Sequence, residues 1–238
     1  MGTLDGQTAW ITGGGSGIGA AGARALAGAG AAVVLSGRRA EPLEAVADEI
    51  RAAGGMARTH PLDVSDSAAV ADAVAEIGQV DILLANAGLN LPERNFENVS
   101  IEGWDRIVNV NLNGVFYPVQ AVLPGMREAG GGLLILISSW AGRYATRLTG
   151  PAYNATKRAV LALSESVNGE ECRNGIRSTV IMPGEVATEI MKSRPVPPSE
   201  DTMSRMLQAE DLARTIRFVA EAPPRVCLNE ILISPTWN

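Results

Sequence analysis

"TAWITGGGSGIG", Thr8 to Gly19, decides the fold. Its first five residues form a short apolar run, and the glycine-rich remainder, Thr12–Gly19, leads straight into an alanine-rich stretch. A strand that ends in a glycine turn and feeds a helix is the first half of a βαβ unit. Glycines let the backbone turn sharply and approach a pyrophosphate, whose charge sits well among the unpaired N–H groups at a helix N-terminus. Glycines also serve ordinary tight turns, but the strand before and the helix after favour a dinucleotide site. Its candidates are Gly13, Gly15, Ser16, Gly17, Ile18 and Gly19.

The same alternation runs to the other end of the chain. Apolar runs read as strands at "TAWIT", "AVVLS", "ARTHP" (a weak one), "DILLA", "LLILIS", "STVIM" and "EILIS". Helix-period stretches lie between them, at about 17–29, 40–53, 66–77, 100–128, 151–173 and 210–221. Right-handed crossovers then predict an α/β, Rossmann-type, doubly wound sheet of about seven mainly parallel strands with helices on both faces. With 238 residues and no linker, repeat or low-complexity tract, the expectation is one dinucleotide-binding and catalytic domain over 1–238. The one compositional break is the proline-rich "KSRPVPPSEDT" at 192–202, inside a region of about 189–206 that is expected to be a substrate-binding loop.

Composition removes several classes of function. The net charge of −6, with no basic run beyond Arg38-Arg39, offers no positive face to nucleic acid or anionic lipid. Cys172 and Cys227 are far apart and His60 is the only histidine, so neither a disulfide framework nor a metal site is expected. No apolar run approaches the ~18 residues a membrane span needs, and the N-terminus lacks a basic-then-apolar leader. The expectation is a cytoplasmic protein acting on a small molecule.

About twenty residues past the glycine turn, an NAD-binding protein usually carries Asp or Glu for the ribose 2′-hydroxyl. Here the second strand ends in "SGRR": Gly37 removes the carboxylate, and Arg38 or Arg39 is placed to pair with a 2′-phosphate. Two arginines also make an ordinary solvated helix start, and Glu41 could still reach a ribose. The balance favours NADP(H), with NAD less expected.

"YNATK", residues 153–157, sets a phenol and an ammonium one helical turn apart on one face. A free phenol has a pKa near 10, too high for proton exchange at neutral pH. A cation at ~4 Å, with an effective dielectric of ~20, contributes roughly 4 kcal/mol, or about three pKa units. The expectation is that Lys157 brings Tyr153 towards neutrality. Tyr-xxx-Lys alone is common. Upstream, however, "ILISS" ends a buried strand with Ser138 and Ser139 at the crevice where open α/β sheets bind ligands.

Taken together, these motifs resemble the short-chain dehydrogenase/reductase family of single-domain, NAD(P)-dependent oxidoreductases. The TGxxxGxG turn, "LDV" at 62–64, "NAG" at 86–88, "NVNLNG" at 109–114, "SSWAG" at 138–142, "YNATK" and "PGEVAT" at 183–188 stand in the family's order. The resemblance implies a hydride transfer between NADP(H) and a carbonyl or secondary alcohol, with Asn111, Ser139, Tyr153 and Lys157 as the catalytic set. Tyr153 would be the general acid or base, Ser139 would steady the substrate oxygen, and Asn111 would support a water-mediated proton relay through Lys157. Ser139 begins the S-x-x-G turn, and Ser138 is the alternative to it. The resemblance also implies that Asp63 and Val64 flank an adenine and that Asn86 and Gly88 line a ribose. Pro183, Gly184, Val186 and Thr188 would meet the nicotinamide end, while Tyr153 and Lys157 would also touch cofactor.

Three departures stand out: Ala85 where the family commonly has Asn, one extra residue between serine and tyrosine, and Glu185 where small or apolar residues are frequent. The expected substrate pocket comprises Trp140, Arg143, Tyr144, Glu185, Ile190 and Met191, with Asn90, Leu91 and Arg147 nearby. Apolar residues on more than one face of the helices at 100–128 and 151–173, together with the family's habit, imply a homotetramer, or failing that a dimer, with Trp237 in the closing tail. The competing readings are a catalytically silent NADP-binding sensor or scaffold, and an internal-redox epimerase or dehydratase.

Overall fold

A computed structural model describes residues 2–236; Trp237 lies outside the described residues. Seven strands form one sheet: β1 (Thr8–Thr12), β2 (Ala32–Ser36), β3 (Met56–Thr59), β4 (Ile82–Ala85), β5 (Gly132–Ile137), β6 (Ile176–Pro183) and β7 (Glu230–Ile233). The spatial order is β3-β2-β1-β4-β5-β6-β7, and every pairing is parallel. The chain winds outward through β2 and β3, then crosses back over β1 to β4. That reversal opens a crevice at the C-terminal ends of β1 and β4, where open sheets bind ligands.

The expected strands all form. The weak third one is the sheet's edge, with side chains no more than half-buried, which is why its sequence signal is faint. Side chains alternate through the sheet. Ile11, Val33, Leu35, Ile82 and Leu84 join one core with helices α1 (Gly17–Gly28), α2 (Ala40–Ala52) and α9 (Ala209–Ala220). Trp10, Val34, Leu83 and Ala85 join the other with α3 (Ser67–Ile77), α5 (Gly114–Ala129) and α7 (Pro151–Glu171). Trp10 is fully buried, and its indole N–H donates to Ser36 Oγ at 2.9 Å, so the ring carries no unpaired donor into the core.

Two stretches differ from the sequence reading. The single helix expected over 100–128 is α4 (Ile101–Val108), capped by Ser100, followed by a π-helical turn at Asn109–Asn113 and then α5. The proline-rich break is partly ordered into a 3₁₀ turn, Glu189–Ser193, and the short helix α8 (Glu200–Arg205), whose first turn is capped by Ser199. A further short helix, α6 (Trp140–Arg143), follows β5. No described helix is long and apolar enough to cross a membrane, and no described group of three His, Cys, Asp or Glu could hold a metal.

Candidate active site

The crevice begins at the glycine turn. Gly13 and Gly17 adopt the left-handed conformation, φ +65° and +52°, that a side chain resists. At Gly19 the reason for glycine is contact: a Cβ there would lie 2.2 Å from the carbonyl oxygen of Gly13. Asn86, at the end of β4, clamps the turn by donating from Nδ2 to the carbonyls of Thr12 at 3.3 Å and Gly13 at 3.2 Å. A recess beside the turn is lined by Gly15, Gly37, Arg38, Arg39, Asp63 and Val64. Arg39 reaches Glu189 at 3.8 Å across the mouth, with both side chains largely exposed.

A larger cavity of about 820 Å³ opens from Gly13, Ser16, Gly17 and Ile18 to Asn86 and Gly88, then past Ser139, Tyr153 and Lys157 to Pro183, Gly184, Val186 and Thr188. Each of these residues is expected at the site from the sequence, and the fold brings them to one cleft. Successive residues at the end of β5 point to opposite sides, which separates the two serines. Ser138 is buried and donates to the Lys157 carbonyl at 2.7 Å. Ser139 accepts the Ala141 N–H at 3.1 Å as the cap of α6, and its hydroxyl acts on the Tyr153 phenol, favouring the phenolate.

Tyr153 and Lys157 share one face of α7, with Lys157 Nζ 5.7 Å from the centre of the Tyr153 ring. The ammonium is buried and donates to the Ile137 carbonyl at 2.9 Å. Burial pulls its pKa down to about 8. Burial also pushes the Tyr153 phenol above its ordinary 10.0, against the opposing hydrogen bond from Ser139 and the charge of Arg94. The expectation that Lys157 lowers the phenol is therefore corrected: burial outweighs the effects of Ser139 and Arg94, and the Lys157 ammonium is turned to a backbone carbonyl.

Asn111 sits in the π-turn, fully buried, and does not line the cavity. Its amide makes a closed pair with Leu89, accepting the Leu89 N–H at 2.8 Å and donating to the Leu89 carbonyl at 2.8 Å. A Cβ on Gly88 would stand 3.5 Å from both Asn111 Oδ1 and Lys157 Nζ, so the two side chains flank the same glycine.

The residues expected at a substrate pocket fall into two sets. Trp140, Glu185, Ile190 and Met191 line the cavity, as does Asn90. Arg143 and Tyr144 do not, because α6 turns them outward. Arg143 is drawn to Glu230 on β7 at 2.9 Å, and the half-exposed Tyr144 packs edge-on against Trp140, centroids 5.3 Å apart. Arg147 likewise pairs with Glu97 on the surface. Sequence reasoning missed Arg94 and Arg194, both of which line the cavity. The signal for Arg94 was a lone arginine in "LPERNF", which nothing in the local pattern marks as buried.

The profile of the short chain dehydrogenase family matches residues 7–197. The chain belongs to that family. A short-chain relative, the 2,5-dichloro-2,5-cyclohexadiene-1,4-diol dehydrogenase of Sphingobium indicum, is 38% identical over 228 residues, 91% of this chain and 90% of that protein. The glycine betaine reductase of Emericella nidulans is 36% identical over 98% of this chain, which spans 19% of that longer protein. Among solved structures, a metagenomic short-chain oxidoreductase in complex with NADP superposes with a TM-score of 0.85 at 32% identity, covering 99% of this chain and 100% of that one.

Proposed function

We propose that this short-chain dehydrogenase uses NADP(H) to interconvert a carbonyl and a secondary alcohol. The observation that carries the reading is that Tyr153, Ser139 and Lys157 line one cleft that continues into a glycine turn too tight for any side chain at Gly19. Residues of both cavities fit the cofactor. The glycine turn offers backbone N–H groups to a pyrophosphate. Asp63 and Val64 would flank the adenine, with Asn86 and Gly88 at a ribose. Gly37 leaves room for a 2′-phosphate beside Arg38 and Arg39, and Pro183, Gly184, Val186 and Thr188 border the nicotinamide end. The NADP-bound state of the metagenomic relative supports this preference. When bound, NADPH supplies a hydride to a carbonyl carbon, and NADP⁺ takes one back from a carbinol carbon.

The protein's part is to orient the substrate and move a proton. In reduction the Tyr153 hydroxyl gives its proton to the substrate oxygen while Ser139 donates a hydrogen bond to that oxygen. The resulting phenolate regains its proton by way of Lys157, with Asn111 supporting the relay. Because burial holds the phenol above its ordinary pKa, the resting cleft at neutral pH carries the proton that reduction needs. The segment at about 189–206 closes the outer wall as the substrate loop of one catalytic domain, and the assembly is a homotetramer with dimer as the fallback. Tyr153→Phe tests the central role. Turnover is expected to fall at least ~100-fold while NADPH affinity changes only a fewfold, and retained turnover would remove Tyr153 from the chemistry.

A further inference from the structure

The substrate end of the cleft holds more positive charge than its own residues neutralise. Arg94 is 4% exposed, although arginine is rarely buried without a charged partner. Its guanidinium ties three segments together. Nε donates to the Leu91 carbonyl, Nη1 to the Leu148 carbonyl at 3.4 Å, and Nη2 to the carbonyl and hydroxyl of Ser193. All four acceptors are neutral, and no described carboxylate forms an ion pair with it. Those contacts also leave one Nη1 hydrogen without an acceptor among the described residues.

Arg194 lines the same cavity, with its side chain 15% exposed. One of its terminal nitrogens pairs with Glu185 at 2.5 Å, and its remaining N–H groups have no described acceptor. Glu185 is thus the one described carboxylate in contact with either guanidinium, while the exposed Glu93 acts on Arg94 through its charge alone. The two cations feel each other: burial and the charge of Arg194 both pull the Arg94 pKa down. The charge of Arg94 also reaches the Tyr153 phenol. A cation withdrawn from water is costly until an anion meets it, and a guanidinium presents the planar fork that suits a carboxylate.

We propose that the substrate carries a carboxylate, held by the unengaged N–H groups of Arg194 and Arg94, on the side of the cleft away from the glycine turn, while its carbonyl or hydroxyl carbon faces Tyr153. The substrate class is thus an oxo acid or hydroxy acid. This rests on the oxidoreductase reading above.

The test compares each acid with its own methyl ester, which removes the charge and adds one methyl group. Acetoacetate, levulinate and phenylpyruvate and their esters are assayed for NADPH oxidation at 340 nm. The same compounds are titrated calorimetrically into the protein saturated with NADP⁺. The acid is expected to lead its ester by at least ~10-fold in kcat/KM for one pair or more, as a charge-assisted hydrogen bond implies. Arg194→Met should shrink that ratio ~10-fold and Glu185→Gln, which frees Arg194, should enlarge it. Arg194 is chosen because Arg94 also fastens three loops. Esters equal to or better than acids in every pair, in both turnover and binding, would overturn the carboxylate site and leave the oxidoreductase reading standing. Acids that bind in preference to esters without any turnover would uphold the site and overturn the oxidoreductase reading.

Discussion

Lys157 is the buried charge whose consequences are easiest to measure. Its ammonium is 3% exposed, bonded to one backbone carbonyl, and has a pKa near 8 against an ordinary 10.5. A lysine pKa lowered on folding means that the native state sheds its proton more readily than the unfolded chain. Below pH 8 both states are protonated and the native one bears the full cost of the buried charge, about 3 kcal/mol for 2.5 units of difference. Between pH 8 and 10.5 the unfolded chain binds more protons, so stability rises with pH. Integrating the two titrations, about 2 kcal/mol of that cost is relieved between roughly pH 7 and 9.5. Lys157→Met keeps the stem and deletes the charge. Guanidinium unfolding of both proteins across that range, with one curve subtracted from the other, cancels every other titrating group. The wild type should gain about 2 kcal/mol on the variant as the pH climbs. A flat difference would show that the ammonium is solvated or paired and would refute the reasoning.

The two serines should separate cleanly. Ser139→Ala is expected to lower turnover by ~10-fold or more and to cost about 1 kcal/mol as a lost helix cap, whereas Ser138→Ala, which removes one of the hydrogen bonds to the buried Lys157 carbonyl, should cost about 0.5–1.5 kcal/mol in denaturant unfolding with turnover changed only a fewfold. Gly37→Asp sets a carboxylate beside Arg38 in the recess, so the ratio of kcat/KM for NADP to that for NAD should drop at least ~10-fold; an unchanged ratio would detach that recess from the 2′-phosphate. In the proposed mechanism, alcohol oxidation needs the Tyr153 phenolate. With the phenol held above its ordinary 10.0, the ligand-free protein should show no phenolate absorbance from this residue at pH 9, measured as the ultraviolet difference between wild type and Tyr153→Phe.

The sheet was legible because it is parallel and buried on both faces, so its strands survive as unbroken apolar runs such as "DILLA" and "GLLILI". The edge strand β3 shows how that legibility depends on burial: with exposed and half-buried positions alternating, its sequence is barely distinguishable from a loop. The π-turn at Asn109–Asn113 was invisible for a different reason. Its residues keep helical spacing, and the distinction lies in the closed amide pair between Asn111 and Leu89, a contact across 22 positions.

The site divides the same way. Residues whose place in the cleft is set by their own backbone, such as the glycines of the turn and the i,i+4 pair of Tyr153 and Lys157, could be located directly. Residues whose role is set by long-range electrostatics could not. Among the arginines near the cleft, local proximity to Tyr153 singled out Arg143 and Arg147, which are satisfied on the surface by Glu230 and Glu97. Arg94 and Arg194 lie 59 and 41 positions from Tyr153, yet the folded chain turns both into the cavity, where Glu185 pairs with Arg194 and no described carboxylate pairs with Arg94. A charge without its counter-charge is a property of the folded neighbourhood, and no window of sequence reports it. The same holds for the sign of the Tyr153 shift: helical spacing supplies the cation, but the surrounding burial decides that the phenol keeps its proton.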